Sequence, residues 1–212
     1  MRFDLQVGKI NTDEYFRNVQ ERANTLFESS FQSSDNVIIV LNDYKWKKRK
    51  IRFQNFPFRQ IENLQKCDIN YRVLYRLYEP DDKFDIWNQA IIQTTIDKVN
   101  YKNILAAIGN ADFPPRQPRL DKSSFWTSKE IFFINLDKPL IFNMYDDRGL
   151  DIIASKNADL APIYLKHKEW ILEYDRELIE KRMKNGLQRG IKNCRCSTLF
   201  KGYSPRIKFL TA

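Results

Sequence analysis

Histidine and cysteine are scarce in this sequence of 212 residues, and their scarcity excludes several classes of site. The single histidine is His167, so a metal site with two histidines or a mechanism with two imidazoles is impossible. No G-x-S-x-G elbow supplies a serine for His167, and we expect this histidine to have a surface or packing role. The three cysteines, Cys67, Cys194 and Cys196, have neither the spacing of a zinc site nor that of a disulfide framework.

Long hydrophobic runs are also missing. No apolar run approaches the roughly 20 residues needed to span a bilayer, and the N-terminus has no basic region followed by an apolar core. With 42% hydrophobic and 30% charged residues, the composition is that of a globular protein. We therefore predict a cytoplasmic protein without membrane contact. There is no glycine-rich phosphate loop, and no cofactor is expected.

Acidic residues are absent from the C-terminal end of the chain. Nine basic residues and no acidic residue follow from Lys181 onwards, whereas the other 27 basic residues are balanced by 27 acidic ones. We predict a neutral α+β domain over residues 1–184 and a basic tail over residues 185–212. The tail is typical either of a solvated terminus or of a segment that binds nucleic acid.

A second basic cluster, "YKWKKRKIR" from Tyr44 to Arg52, lies between two apolar segments. We expect it at a hairpin tip or on an exposed edge strand, where lysines discourage aggregation. If the protein binds nucleic acid, this cluster and the tail are the candidate surfaces. The candidate residues are Lys45, Lys47, Lys48, Arg49, Arg189, Lys192 and Arg195.

The periodicity of apolar residues predicts grouped strands with helices before, between and after them. A first helix is capped by Asn11 or Thr12, and a helix over Tyr101 to Ile108 ends at Gly109. The predicted strands are Val37 to Leu41 with a possible return strand at 51–56, Tyr71 to Tyr78, one within Phe84 to Ile96, and a meander in "EIFFINLDKPLIFNMYDDRGLDIIAS". A last helix runs from Pro162 to Lys184 and is ended by Gly186. Grouped strands favour an α+β fold with an antiparallel sheet and helices on one face.

The turn "DDRG" in the meander brings three carboxylates, Asp146, Asp147 and Asp151, close together in sequence. Carboxylates bind hard cations, so a metal-dependent hydrolase built on them stays an alternative. However, consecutive strand residues diverge, and Arg148 would place a cation among the ligands. A hairpin turn in which Gly149 has a positive φ accounts for the stretch better.

Several stretches resemble a bacterial family called domain of unknown function 3885. They are "RFDLQVG" with "EYFRNVQERANTLFESSF", "KNILAAIGNADF", "LIFNMYDDRGLDIIA" and "WILEYDRELIEK", which together cover about residues 2–184. The family has no established activity, so the resemblance implies no catalytic residues. It marks the signature Tyr145, Asp146, Asp147, Arg148 and Gly149, with the adjacent Asp151, as a candidate partner-binding site.

The resemblance also implies what kind of partner to expect. Small α+β proteins of this kind are often associated with toxin loci, which implies an immunity or antitoxin role. Family members carry a further segment before the "RFDL" strand, so an edge strand is expected to be missing here. We therefore predict a non-enzymatic protein-binding module, with nucleic-acid binding as the first alternative, and leave the oligomeric state open.

Overall fold

The structure, a computed structural model, describes residues 1–121 and 129–189. Within these ranges the chain forms seven β-strands and four α-helices. In chain order they are β1 (Arg2–Asp4), α1 (Asp13–Ser30), β2 (Asn36–Tyr44), β3 (Ile69–Tyr75), β4 (Ile86–Thr95), α2 (Tyr101–Gly109), β5 (Lys129–Asn135), β6 (Leu140–Met144), β7 (Gly149–Ala154), α3 (Asn157–His167) and α4 (Glu173–Arg189).

The strands form one antiparallel sheet in the order β1-β7-β6-β5-β2-β4-β3. This confirms the α+β fold, and the predicted meander is present as β5, β6 and β7. β2 lies near the centre, paired on both sides, as expected for a β-branched apolar run. β3 forms one edge of the sheet and β1 lies at the other.

The core lies between the sheet and the helices. Thr12 caps α1 by accepting a hydrogen bond from the Tyr15 backbone N–H, which confirms the predicted helix start. Phe27 of α1 packs edge-on against Phe133 and Phe142 of the sheet, with ring centroids 5.0 and 5.1 Å apart. It also stacks on Tyr101 of α2, so that both helices share this face.

Two predicted elements are wrong. Residues 51–56 form no strand, because β2 already has β4 and β5 as its two neighbours. Instead the segment folds back on the core, where Ile51 is buried. The last helix is two helices, α3 and α4, and Pro162 lies inside α3. α4 continues through Gly186 to Arg189, beyond the predicted end of the domain at residue 184.

The connection between α3 and α4 forms backbone hydrogen bonds with β1, at the edge of the sheet. Ile171 forms a β-bridge with Phe3, and the Leu172 backbone N–H donates to the Arg2 carbonyl at 3.1 Å. The outer side of β1 is therefore partly covered by this connection. No helix in the described parts of the chain has both the length and the apolar character needed to cross a membrane.

Candidate functional site

The signature hairpin, residues 145–149 between β6 and β7, has two aspartates whose carboxylates accept hydrogen bonds from within the protein. Asp146 accepts hydrogen bonds from the Arg148 backbone N–H and from Arg148 Nε, both at 2.8 Å. Asp147 accepts one from the Tyr15 hydroxyl of α1 at 2.5 Å. Both carboxylates are buried, whereas the Arg148 side chain is 67% exposed. The hairpin thus presents a cation to the surface, and its two aspartates face inward.

Burial favours the neutral form of both members of the Tyr15–Asp147 pair. It raises the pKa of Asp147, although the hydrogen bond from Tyr15 acts in the other direction. Burial, together with the same hydrogen bond, raises the pKa of Tyr15 to about 12. The tyrosine is therefore a permanent donor near neutral pH, and the pair fastens α1 to the hairpin.

Asp151 does not join the other two aspartates. It lies on β7 and pairs with Arg2 of β1, with Nε and Oδ1 3.3 Å apart. No group of three side chains suited to holding a metal occurs in the part of the chain that the structure describes. The geometry therefore gives no support to the hydrolase alternative.

Gly149 is required for a reason other than the predicted one. Among the described glycines, only Gly8 has a positive φ, so Gly149 is not in the left-handed region. A Cβ on Gly149 would lie 2.8 Å from the Phe3 carbonyl oxygen and closer still to the Tyr145 hydroxyl. Close approach of β1 and Tyr145 therefore explains the glycine, and the signature "YDDRG" is well explained by packing.

The basic segment, residues 45–52, forms a different kind of surface. It follows β2 as an irregular segment, not as the tip of a hairpin or a strand, and it lies across the face of β3 and β4. Lys45 forms a salt bridge with Asp43, with Nζ and Oδ1 3.1 Å apart. Lys47, Lys48 and Arg49 are exposed.

The basic segment and β3 enclose an open groove of about 430 Å³, which we call the basic groove. Its wall on one side is Lys48, Arg49 and Lys50. Its other wall carries Tyr71 and Tyr75. The groove therefore combines cations, which attract anionic partners, with aromatic rings, which supply apolar contact area.

Buried Asn88 of β4 holds the basic segment in place. Its Oδ1 accepts a hydrogen bond from the Arg49 backbone N–H at 2.6 Å, and its Nδ2 donates to the Lys47 carbonyl at 3.1 Å. Because these bonds use backbone groups, the cationic side chains stay available. The segment is thus anchored by its backbone and presents its charges outward.

Aromatic rings border these charges. Lys50 Nζ lies 4.7 Å from the centre of the Tyr71 ring, a cation–π contact. Trp46 and Tyr75 are 68% and 61% exposed, and Trp46 has a φ of 56°, a rare conformation for a residue with a side chain. In the described ranges Lys47, Lys48, Arg49 and Arg72 form no salt bridge. These four charges are therefore not neutralised by described neighbours.

Sequence reasoning found only half of this groove. The cluster of lysines was visible in the sequence, but Tyr71, Arg72, Tyr75 and Asn88 join it only through the pairing of β3 with β4. The alternation in "YRVLYRLY" marked Tyr71 and Tyr75 as one face of a strand and gave no indication that this face meets the basic segment. The sequence carries no signal for Asn88, because β4 also contains Gln89, Gln93, Thr94 and Thr95.

The other residues predicted from the sequence are the three basic residues near the C-terminus and the single histidine. Arg189 is the last residue of α4, while Lys192 and Arg195 lie outside the described residues. His167 is buried at the end of α3, where Nε2 lies 2.9 Å from the Ser29 hydroxyl and the ring stacks on Trp170. This confirms a packing role, and burial lowers the pKa of His167.

Comparisons with known proteins agree with the resemblance. The sequence model of the family described as Domain of unknown function (DUF3885) matches residues 1–175. The chain is also similar to the uncharacterised protein YnaE of Bacillus subtilis (strain 168), with 29% identity over 179 residues. That alignment covers 81% of this chain and 82% of the relative. No solved structure gives a significant match.

Proposed function

This chain belongs to the DUF3885 family, and from that premise we propose that it is a non-enzymatic binding module whose basic groove recognises an acidic surface of a partner protein. The observation that carries the proposal is a set of exposed cations, Lys48, Arg49 and Arg72, which line the groove together with Tyr71 and Tyr75 and form no salt bridge in the described ranges. Charges arranged in this way accelerate association with an oppositely charged surface.

The surroundings of the groove favour a protein over a phosphate backbone. Lys50 covers the Tyr71 ring, so this aromatic face is already occupied. The turn after β3 carries exposed Glu79 and Asp81, which would repel a uniformly negative polymer. A protein surface can match both signs of charge. An immunity or antitoxin role, in which the module covers a toxin, is the form of binding that family resemblance favours.

The residues of the signature hairpin fit this proposal only as support. Tyr145, Asp146, Asp147, Gly149 and Asp151 hold β1, α1 and the hairpin together, so that Arg148 is their one exposed cation. We therefore place the main contact surface at the basic groove, at the opposite edge of the sheet.

Capture from cells of the native host tests the proposal. Three full-length baits are compared: the unchanged chain, Lys48→Glu/Arg49→Glu, and Lys9→Glu/Lys156→Glu. The last has the same change in charge at exposed positions away from the groove. We expect the unchanged chain and the control to retain one acidic protein, and the groove variant to retain at least about tenfold less. Equal capture by all three baits would contradict the proposal.

Single-stranded nucleic acid is the second candidate, favoured by the exposed Trp46 and Tyr75 beside the cations. Bases stack on such rings while lysines contact phosphates. Binding of a thymidine oligonucleotide at low salt, lost in Lys48→Glu/Arg49→Glu, would support it. Loss of binding only when residues 185–212 are deleted would assign the affinity to the tail. An unchanged chain that fails to bind the oligonucleotide at low salt would remove this candidate.

A further inference from the structure

We propose that the partner of the basic groove binds as an additional β-strand along the outer edge of β3, and that its bound segment is acidic. This inference rests on the proposed function and specifies how the partner is held. Extended segments that add a strand to a sheet gain affinity from main-chain hydrogen bonds, and they gain specificity from alternate side chains.

The outer edge of β3 is open in the described structure. β3 is the last strand of the sheet and pairs only with β4. No other described segment forms a backbone hydrogen bond with residues 70–75. Such an edge carries unused N–H and C=O groups that can pair with another chain.

The hydrogen-bond register shows which residues of β3 direct these groups outward. The Arg76 backbone N–H donates to the Asp85 carbonyl at 2.7 Å, one position beyond the Tyr75–Ile86 pair. In an antiparallel ladder, residues bond to the neighbouring strand at every second position. Leu74 and Arg72 therefore bond to β4 like Arg76. The backbone groups of Tyr71, Val73 and Tyr75 point to the open edge.

The register of β2 against β4 agrees with this assignment. The Lys45 backbone N–H donates to the Ile86 carbonyl at 3.3 Å. Ile86 thus directs its carbonyl to β2 and away from its β3 partner, Tyr75. This independent bond fixes the same alternation on the other side of β4.

The residues that direct backbone groups outward are also those that line the groove. Tyr71, Val73 and Tyr75 face Lys48, Arg49 and Lys50. Every second side chain of an added strand would lie on this side of the sheet, within reach of those cations. Acidic side chains at alternate positions therefore fit best. A second copy of this chain fits poorly, because two basic edges would repel each other.

A synthetic peptide provides a direct probe. It has eight residues in alternating Glu and Val, with acetyl and amide ends, and its partner probe has the same sequence with an N-methyl group on every residue. The two have equal charge, but the second has no backbone N–H on either edge to donate to β3. We expect the full-length chain to bind the methylated peptide at least about tenfold more weakly. Equal affinity would overturn strand addition.

Variants of β3 test the same point from the protein side. Val73→Pro removes an outward N–H without removing a bond to β4, as edge strands tolerate, whereas Val73→Thr retains the N–H. We expect Val73→Pro to bind the unmethylated peptide about tenfold more weakly than Val73→Thr. Equal affinity of the two folded variants would count against the inference. If Val73→Pro does not fold, the comparison of the two peptides on the unchanged chain decides between the two outcomes.

Amide hydrogen exchange separates strand addition from simple charge attraction. Binding should slow exchange at Tyr71, Val73 and Tyr75, while Arg72 and Leu74 are already protected by β4. If Lys48→Glu/Arg49→Glu abolishes binding but these amides stay unprotected in the bound unchanged chain, the groove proposal survives and strand addition fails. If the charge reversal leaves binding unchanged, the groove proposal itself fails.

Discussion

Gly149 shows at the scale of one residue how a family signature can be structural. Its Cα approaches the Phe3 carbonyl and the Tyr145 hydroxyl so closely that a methyl group has no space. Asp146 accepts hydrogen bonds from Arg148, and Asp147 accepts one from Tyr15. The signature thus joins β1, α1 and the hairpin.

We expect Gly149→Ala to lower the free energy of unfolding by about 1–3 kcal/mol, because the added Cβ forces β1 or Tyr145 to move. Gly109→Ala is the matched control. Its Cβ would meet Met144 at 3.4 Å, close to an ordinary contact distance, inside α2. Urea denaturation of both variants measures the difference. Equal stability of the two would show that Gly149 is not required by close approach.

Tyr15→Phe should destabilise the fold by about 1–3 kcal/mol, because it leaves the buried Asp147 carboxylate without its donor. Tyr174→Phe is the control, since Tyr174 is 90% exposed and surface changes are usually within about 0.5 kcal/mol. Chemical denaturation at pH 7 compares them. A loss no greater than that of the control would mean that the Tyr15–Asp147 bond does not stabilise the hairpin.

His167 makes stability depend on pH. Its pKa is lowered in the folded chain by burial and, secondarily, by Lys166, so the folded state binds a proton less readily than the unfolded state. Its contribution is therefore complete above the unfolded pKa of about 6.5. It is lost as the pH falls through the lower folded pKa. Thermal denaturation of the chain and of His167→Gln between pH 7.5 and 5 should show a smaller decline for the variant, and parallel declines would contradict this.

At the scale of elements, the features that depend only on residues close together in the sequence were predicted correctly. The apolar face of α1, its Thr12 cap and the β5–β7 meander follow from periodicity and turn residues. The predicted strand at 51–56 was wrong because strand pairing is a competition, and β4 and β5 take both sides of β2. The single helix at 162–184 was wrong because Ile171 leaves the helix to bridge to Phe3, near the opposite end of the chain.

The candidate site likewise has one part that the sequence predicts and another part that only the structure shows. The lysines of the basic segment were visible in the sequence because they are consecutive. The groove was not visible, since it depends on β3 lying beside that segment and on Asn88 bonding to its backbone. The sequence presents the hairpin aspartates as candidate metal ligands. It does not show that Tyr15, 132 positions away, donates a hydrogen bond to one of them.

Asn88→Ala tests whether the basic segment must be held in one conformation. The change alters no charge, yet it releases the Arg49 N–H and the Lys47 carbonyl. We expect affinity for poly-L-glutamate to fall about three- to tenfold, because the cations are no longer preorganised. Asn70→Ala, an exposed position of β3, should bind as the unchanged chain does. An Asn88→Ala variant with full affinity would show that charge alone is sufficient.

At the scale of the whole molecule, the sheet order separates two roles. The hairpin and β1 lie at one side, where ion pairs and hydrogen bonds close the fold. β3 and the basic segment lie at the other edge, where cations, exposed rings and an open strand meet. From this separation we expect that the signature and the groove can be altered independently.

The most direct test of the groove as the contact surface is nuclear magnetic resonance of the ¹⁵N-labelled full-length chain during titration with poly-L-glutamate. The groove proposal predicts that the largest chemical-shift changes within residues 1–121 and 129–189 occur at residues 45–52 and 69–75. It also predicts that they disappear in Lys48→Glu/Arg49→Glu, and weaken as salt screens the charges. Changes centred on the hairpin residues 145–149, or an unchanged response of the charge-reversed variant, would contradict it.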